Sequence, residues 1–81
     1  MSAAEAQEVK NFLLQSHDQY RQLATRHHEL DTRLHELSDR HYLSESEQIE
    51  EVTLKKRKLA LKDQMEEIAR QYRQQDGNAR P

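Results

Sequence analysis

The chain contains one glycine, Gly77, and one proline, Pro81, and both lie near its C-terminal end. A fold with several β-strands needs turns at regular intervals, and such turns depend on glycine and proline. The 81 residues are enough for one small domain. The sequence therefore predicts a single all-α domain.

The composition excludes several classes of protein. Charged residues make up 35% of the chain, and there is no cysteine, so disulfide bonds, cysteine nucleophiles and Cys-ligated zinc sites are excluded. No apolar run exceeds three residues, whereas a membrane-spanning helix needs roughly 20. We expect a soluble cytoplasmic protein with no membrane contact and no cofactor.

A heptad repeat occupies the first half of the chain, with seam residues at alternating spacings of four and three. It runs from Val9 to His41 through Leu23 and Leu30, and charged residues fill most other positions. This pattern predicts a first helix from about residue 3 to about residue 40.

Residues 16–18 are the weak point of this helix, because Ser16 and Asp18 compete with the helix for backbone hydrogen bonds. A kink, or a new N-cap at Ser16 or Asp18, is the alternative to a continuous helix. Since neither glycine nor proline enforces a break here, we expect the helix to continue.

A second helix is predicted from about residue 45 to 74. Ser44 and Glu47 have the spacing of a capping box ahead of an apolar pattern, so the chain should turn at 41–44. A short connection makes successive helices antiparallel neighbours, which predicts a coiled-coil-like two-helix hairpin. Gly77 is typical of a helix end, and residues 75–81 are expected to form a mobile tail.

Two apolar stripes, on nearly opposite sides, follow this second helix at about 100° per residue. Pairing across the turn sets the stripe that contains Leu54 against the first helix. The stripe that contains Leu59 would instead set Asp63 against Leu23, which is a poor environment for a charge. The residues expected in the hairpin core are Leu13, Tyr20, Leu23, His27, Leu30, Leu54, Leu61, Met65, Ile68 and Tyr72.

The remaining stripe needs another partner, because a helix in a two-helix hairpin has only one neighbour. Burial of this stripe against a second copy of the chain would add apolar contacts to the small core that a chain this short can form. We expect a homodimer or tetramer, or else binding of a different protein. The expected interface consists of Leu34, Leu37, Ile49, Val52, Lys56 and Leu59.

Three lysines, Lys55, Lys58 and Lys62, share one side of the second helix and are candidate contacts for an anion such as a nucleic-acid phosphate. The net charge of −2, and acids within one turn of these lysines, favour a solvated helix face instead. The expected function is that of a non-enzymatic coiled-coil interaction module. A small nucleic-acid-binding accessory protein is the alternative.

The histidines favour a structural role over a metal site. His28 and His35 lie two turns apart with Asp31 between them, but one helix face cannot close a tetrahedral site. For His27, a hydrogen bond to Asp31 is the simpler expectation. A two-helix hairpin also lacks the pocket that catalysis requires, so no metal-binding or catalytic residue is expected.

Residues 54–65, LKKRKLALKDQM, resemble the hallmark of the YdcH-like family of small bacterial proteins, a domain of unknown function. The first helix is also similar to the family's pattern F/Y-x-x-L-x-x-x-H-x-x-L-D-x-x-I/L. The resemblance covers about residues 12–72 and implies a bacterial cytosolic helical hairpin with no assigned reaction. Family members often have a proline near His17, which this chain lacks. The residues at the positions of the first pattern are Tyr20, Leu23, His27, Leu30, Asp31 and Leu34.

Overall fold

The computed structural model describes the backbone of residues 3–78 and the side chains of residues 3–74. Over this range the protein is all-helical, as predicted, but it has three helices rather than two: α1 (Ala3–Ser16), α2 (Asp18–Ser38) and α3 (Glu45–Asn78). The 34 residues of α3 extend about 50 Å at about 1.5 Å per residue. This helix accounts for most of the 58 Å length of the molecule.

The break between α1 and α2 lies at His17, and the expectation of one continuous helix is wrong. His17 has an extended backbone, with φ −119° and ψ 106°, and its Nδ1 accepts a hydrogen bond from the amide of Tyr20 at 3.0 Å. His17 therefore fills the N-cap role that serine and aspartate usually hold. The Ser16 hydroxyl donates to the Phe12 carbonyl at 2.8 Å instead.

The start of α3 has the predicted capping box. The amide of Ser44 donates to Glu47 Oε1 at 3.0 Å, and the amide of Glu47 donates to Ser44 Oγ at 3.2 Å. These two reciprocal bonds satisfy donors that have no partner within the helix. The preceding helix ends at Ser38, two residues earlier than expected, so residues 39–44 form the link between α2 and α3.

At its other end α3 continues past the predicted limit of residue 74 to Asn78. Gly77 does not have the positive φ that a glycine cap adopts, so the helix passes through it. The predicted mobile tail is thus helical over residues 75–78, and its last part, 79–81, lies outside the described residues. No helix in the described part of the chain is long and apolar enough to cross a bilayer.

The main packing contact is between α2 and α3, and α1 makes a smaller contact with α3. Arg33 is paired with Glu50 near the link, and the rings of Phe12 and Tyr72 are 5.2 Å apart at the far end. These two contacts show that α3 runs antiparallel to α1 and α2.

The core is a single line of buried side chains between these helices. Of the residues expected there, Leu13, Tyr20, Leu23 and Leu54 are buried and the other six are half-buried. Leu37 is also in the core, with 0% exposure, so its placement in an oligomer interface is wrong. Its position on the heptad seam, one repeat after Leu30, turns it toward α3. The half-buried residues are His27, Leu30, Leu61, Met65, Ile68 and Tyr72.

Candidate functional site

One apolar side of α3 is left exposed by the rest of the described chain. Ile49, Val52 and Leu59 are 63%, 52% and 59% exposed, whereas Leu54, on the opposite side of the helix, is 8% exposed. With Lys56, which is also exposed, they follow the three–four spacing of a coiled-coil seam. We call Ile49, Val52, Lys56 and Leu59 the outward face.

Two exposed residues outside the predicted interface precede this outward face along the chain. Glu45 is the first residue of α3, and Tyr42, in the link between α2 and α3, is 81% exposed. The signal for Glu45 is the same spacing read toward the N-terminus, since it lies four residues before Ile49; Tyr42 precedes the start of α3 and is not placed by helical spacing. A search for apolar residues alone stops at Ile49, because Glu45 is charged.

Leu34, another residue expected in the interface, is half-buried between α2 and α3. It lines an open groove of about 390 Å³ with His27, Lys58 and Leu59. Leu34 therefore lies beside the outward face rather than on it. A partner bound at the outward face would reach the groove only along Leu59.

The lysines proposed as anion contacts lie along this groove, and two of them have acidic neighbours. Lys58 donates a hydrogen bond to the carboxylate of Asp31, and Lys55 Nζ is 3.6 Å from Glu51 Oε1. The bond from Lys58 is the main cause that holds the pKa of Asp31 below its usual range. Lys62 is exposed and lines the same groove. An incoming phosphate would have to compete with these carboxylates for Lys55 and Lys58.

A second interhelical ion pair joins Arg33 to Glu50. Arg33 Nε donates to Glu50 Oε2 at 2.8 Å, and Arg33 Nη2 donates to Glu50 Oε1 at 2.9 Å. This contact is bidentate, the arrangement in which arginine binds carboxylates most strongly. The hydrogen bonds from Arg33 lower the pKa of Glu50. Glu50 and Lys58 each lie four residues from buried Leu54, on opposite flanks of it. The two ion pairs therefore bracket the apolar contact and fix how α2 lies along α3.

The histidines do not form a metal site in the described part of the chain, where no three His, Asp or Glu side chains are grouped as ligands. His28 is exposed. His35 Nδ1 lies 2.8 Å from the Asp31 carbonyl and 3.7 Å from Asp31 Oδ2. The carboxylate of Asp31, which we expected to bind His27, instead accepts from Lys58.

His27 is half-buried on the seam, and burial lowers the pKa of its imidazole, helped by the charge of Lys58. As the pH falls, the His27 imidazole is therefore protonated in the unfolded chain before it is protonated in the folded chain. The free energy of unfolding should have its full value above about pH 6.5, the ordinary histidine pKa, and should decrease below it. We expect urea denaturation at pH 7.5 and 5.5 to show a smaller decrease for His27→Gln than for the native chain.

His28→Gln, which changes the exposed neighbouring histidine, is the matched control and should keep the native pH dependence. If both variants lost stability on acidification as the native chain does, His27 would not be the group responsible.

A family model described as a protein of unknown function, DUF465, matches residues 21–70. The match confirms the resemblance to the YdcH-like family. It spans nearly all of α2, the link and most of α3, and so contains the outward face and both interhelical ion pairs. No curated protein and no solved structure matches the chain significantly.

Proposed function

The chain belongs to the DUF465 family of proteins of unknown function, and we propose that it works as a coiled-coil interaction module. In this proposal it binds by helix–helix association through the outward face of α3, and it catalyses no reaction. The supporting observation is the row of exposed aliphatic side chains, Ile49, Val52 and Leu59. The opposite side of α3 already packs on α2, so this row is left for a partner.

Burial of the outward face would release enough free energy to matter. Fully burying an exposed aliphatic side chain contributes about 1.5–3 kcal/mol. These three side chains are somewhat more than half exposed, so six of them in a symmetric pair contribute on the order of 5–10 kcal/mol. Association costs about 4–15 kcal/mol in lost translational and rotational freedom. At the favourable ends of both ranges, burial of about 10 kcal/mol against a cost of about 4 kcal/mol leaves about 6 kcal/mol, which corresponds to a dissociation constant of tens of micromolar.

The nucleic-acid alternative has weaker support. Lys58 is bound to Asp31 and Lys55 lies near Glu51, so the side of α3 that would meet a phosphate backbone is partly neutralised. The net charge of −2 adds no attraction over longer distances. Helix association at Ile49, Val52 and Lys56 needs no rearrangement of these pairs, because none of these three residues lines the groove that contains Asp31 and Glu51.

Sedimentation equilibrium on the native chain and on a Val52→Asp/Leu59→Asp variant tests the proposal. We expect the native chain to dimerise at about 10–100 μM, which is the micromolar range of affinity. The variant should associate at least about 100-fold more weakly, because dimerisation would bury unpaired carboxylates. Circular dichroism should show that both remain helical.

The matched control is Thr53→Asp/Gln64→Asp, which adds the same two charges to exposed positions of α3 outside the outward face. It should dimerise as the native chain does. A native chain that stays monomeric at about 100 μM would rule out self-association at this affinity. Binding to random DNA more tightly than about 10⁻⁵ M, with a steep dependence on salt, would favour the alternative.

A further inference from the structure

The outward face and Glu45, the first residue of α3, form a self-complementary pattern. In heptad terms Ile49 and Lys56 occupy one kind of seam position, and Glu45, Val52 and Leu59 occupy the other. When two such helices pack antiparallel about a two-fold axis, each position of the first kind faces one of the second kind. Because the interface is symmetric, every contact then occurs twice. A single facing pair therefore defines the whole arrangement.

Only a few such arrangements bring the exposed residues together, and they differ by steps of one heptad. If Ile49 faces Leu59 of a second copy, Glu45 faces Asp63 and two acids oppose each other. If Lys56 faces Leu59, Val52 faces Asp63, and a charge is set against an aliphatic side chain. If Glu45 faces Ile49, a charge is again set against an aliphatic side chain. Each of these pairings leaves a charge badly placed.

From the one remaining arrangement, we infer that the outward face is occupied by α3 of a second copy, antiparallel, with Ile49 facing Val52 of that copy. Glu45 then faces Lys56 of the second copy, and Leu59 lies opposite the end of the second copy's link between α2 and α3. This inference rests on the proposed function and specifies its partner. Among the described residues, neither Glu45 nor Lys56 has an ion pair within its own chain, so both remain available to a second copy.

The pairing also accounts for the lysine in the middle of an apolar seam. Two Ile49–Val52 pairs form an apolar centre, and two Glu45–Lys56 pairs close it on either side. A charged seam residue of this kind lowers affinity but selects one register and orientation, which is its best documented role in coiled coils.

Exchange of the two charges tests the pairing. Lys56→Glu alone sets like charges together twice, as does Glu45→Lys alone, and each variant should self-associate about 10-fold more weakly. In an equimolar mixture, each Glu45 of the first variant meets a lysine of the other, and each introduced lysine meets an introduced glutamate. We expect the mixture to form heterodimers with near-native affinity. As a control, Arg57→Glu, at an exposed position outside the outward face, mixed with Glu45→Lys, restores only one of the two pairs, so this heterodimer should be weaker than that of the charge-exchanged mixture.

Disulfide trapping provides a second measurement that does not depend on charge. Because the chain has no native cysteine, only the introduced cysteines can form the cross-link. Chains with Ile49→Cys and Val52→Cys, mixed and oxidised, should cross-link in high yield. Chains with Ile49→Cys and Leu59→Cys should not, because in this register the two positions are offset by about 10 Å along the helix, beyond disulfide reach.

The outcomes separate this inference from the proposed function. If the chain dimerises but the 49/59 mixture cross-links in place of the 49/52 mixture, or the charge mixture does not recover affinity, the inferred pairing is wrong and helix association stands. If the native chain does not self-associate at all, the second copy is wrong as the partner.

Discussion

Replacing Leu37 with alanine is expected to lower the free energy of unfolding by about 2–5 kcal/mol. Leu37 has 0% exposure and lies in the last turn of α2, where the chain reverses toward α3. Alanine would leave a cavity that only backbone movement could fill. A domain of this size has only a few kcal/mol of stability to lose, so urea denaturation followed by circular dichroism should show a much lower midpoint.

Leu59→Ala is the matched control, because it makes the same chemical change at a residue that is 59% exposed. Leu37→Ala should lower stability at every protein concentration. Leu59→Ala should reduce only the part of the stability that rises with concentration, with the remainder changed by no more than about 0.5 kcal/mol. Equal losses for the two variants at low concentration would contradict the burial of Leu37.

The features that could be predicted from the sequence are those set by local spacing. Ser44 and Glu47 form their capping box because both partners lie within one turn and need no tertiary contact. The helical class follows from the seam repeat and the scarcity of glycine. The seam spacing also places Leu37 against α3, in agreement with its burial, so the error in its predicted position comes from grouping it with the outward-facing residues near the turn instead of with the seam.

The break at His17 lies within residues 16–18, which the sequence marks as the weak point of the first helix. The choice between a break and a continuous helix depends on tertiary structure, which explains why local preferences favour the wrong alternative. An imidazole caps a helix only if its unprotonated nitrogen meets an amide, and that amide belongs to Tyr20, whose ring is held in the core. Core packing thus decides between a bend and a continuous helix at a site where intrinsic preferences are weak.

The interhelical ion pairs were likewise beyond local rules. Arg33 has Glu29 and Glu36 within one turn, which favours pairing inside α2. Its guanidinium does reach Glu36, at 3.1 Å, but it makes its two-pronged contact with Glu50. Only the alignment of α2 with α3 brings Glu50 within reach.

Tyr20 is the residue where the bend and the core meet, and Tyr20→Ala is expected to destabilise the fold by about 3–5 kcal/mol. The ring is 4% exposed, and with Met65 it lines a second groove, formed by residues of α1, α2 and α3. Its amide donates the hydrogen bond that caps α2 at His17. Truncation therefore leaves a cavity in the core. It also removes the ring that holds the Tyr20 amide against His17, the residue at which α1 and α2 meet. Tyr20→Phe, which keeps the ring, should retain most of the stability in urea denaturation at pH 7.

The same pair of variants makes a test at alkaline pH. Burial raises the pKa of the Tyr20 phenol, and the negative charge of Glu66 adds to the effect. Near pH 10, the ordinary tyrosine pKa, the unfolded chain therefore loses this proton before the folded chain does. The stability that depends on the neutral phenol is complete below that pH and declines as the pH rises above it. Tyr20→Phe should lose less stability than the native chain between pH 9 and 11. Since Tyr42 and Tyr72 remain in both proteins, an identical alkaline loss would show that Tyr20 is not held in the core.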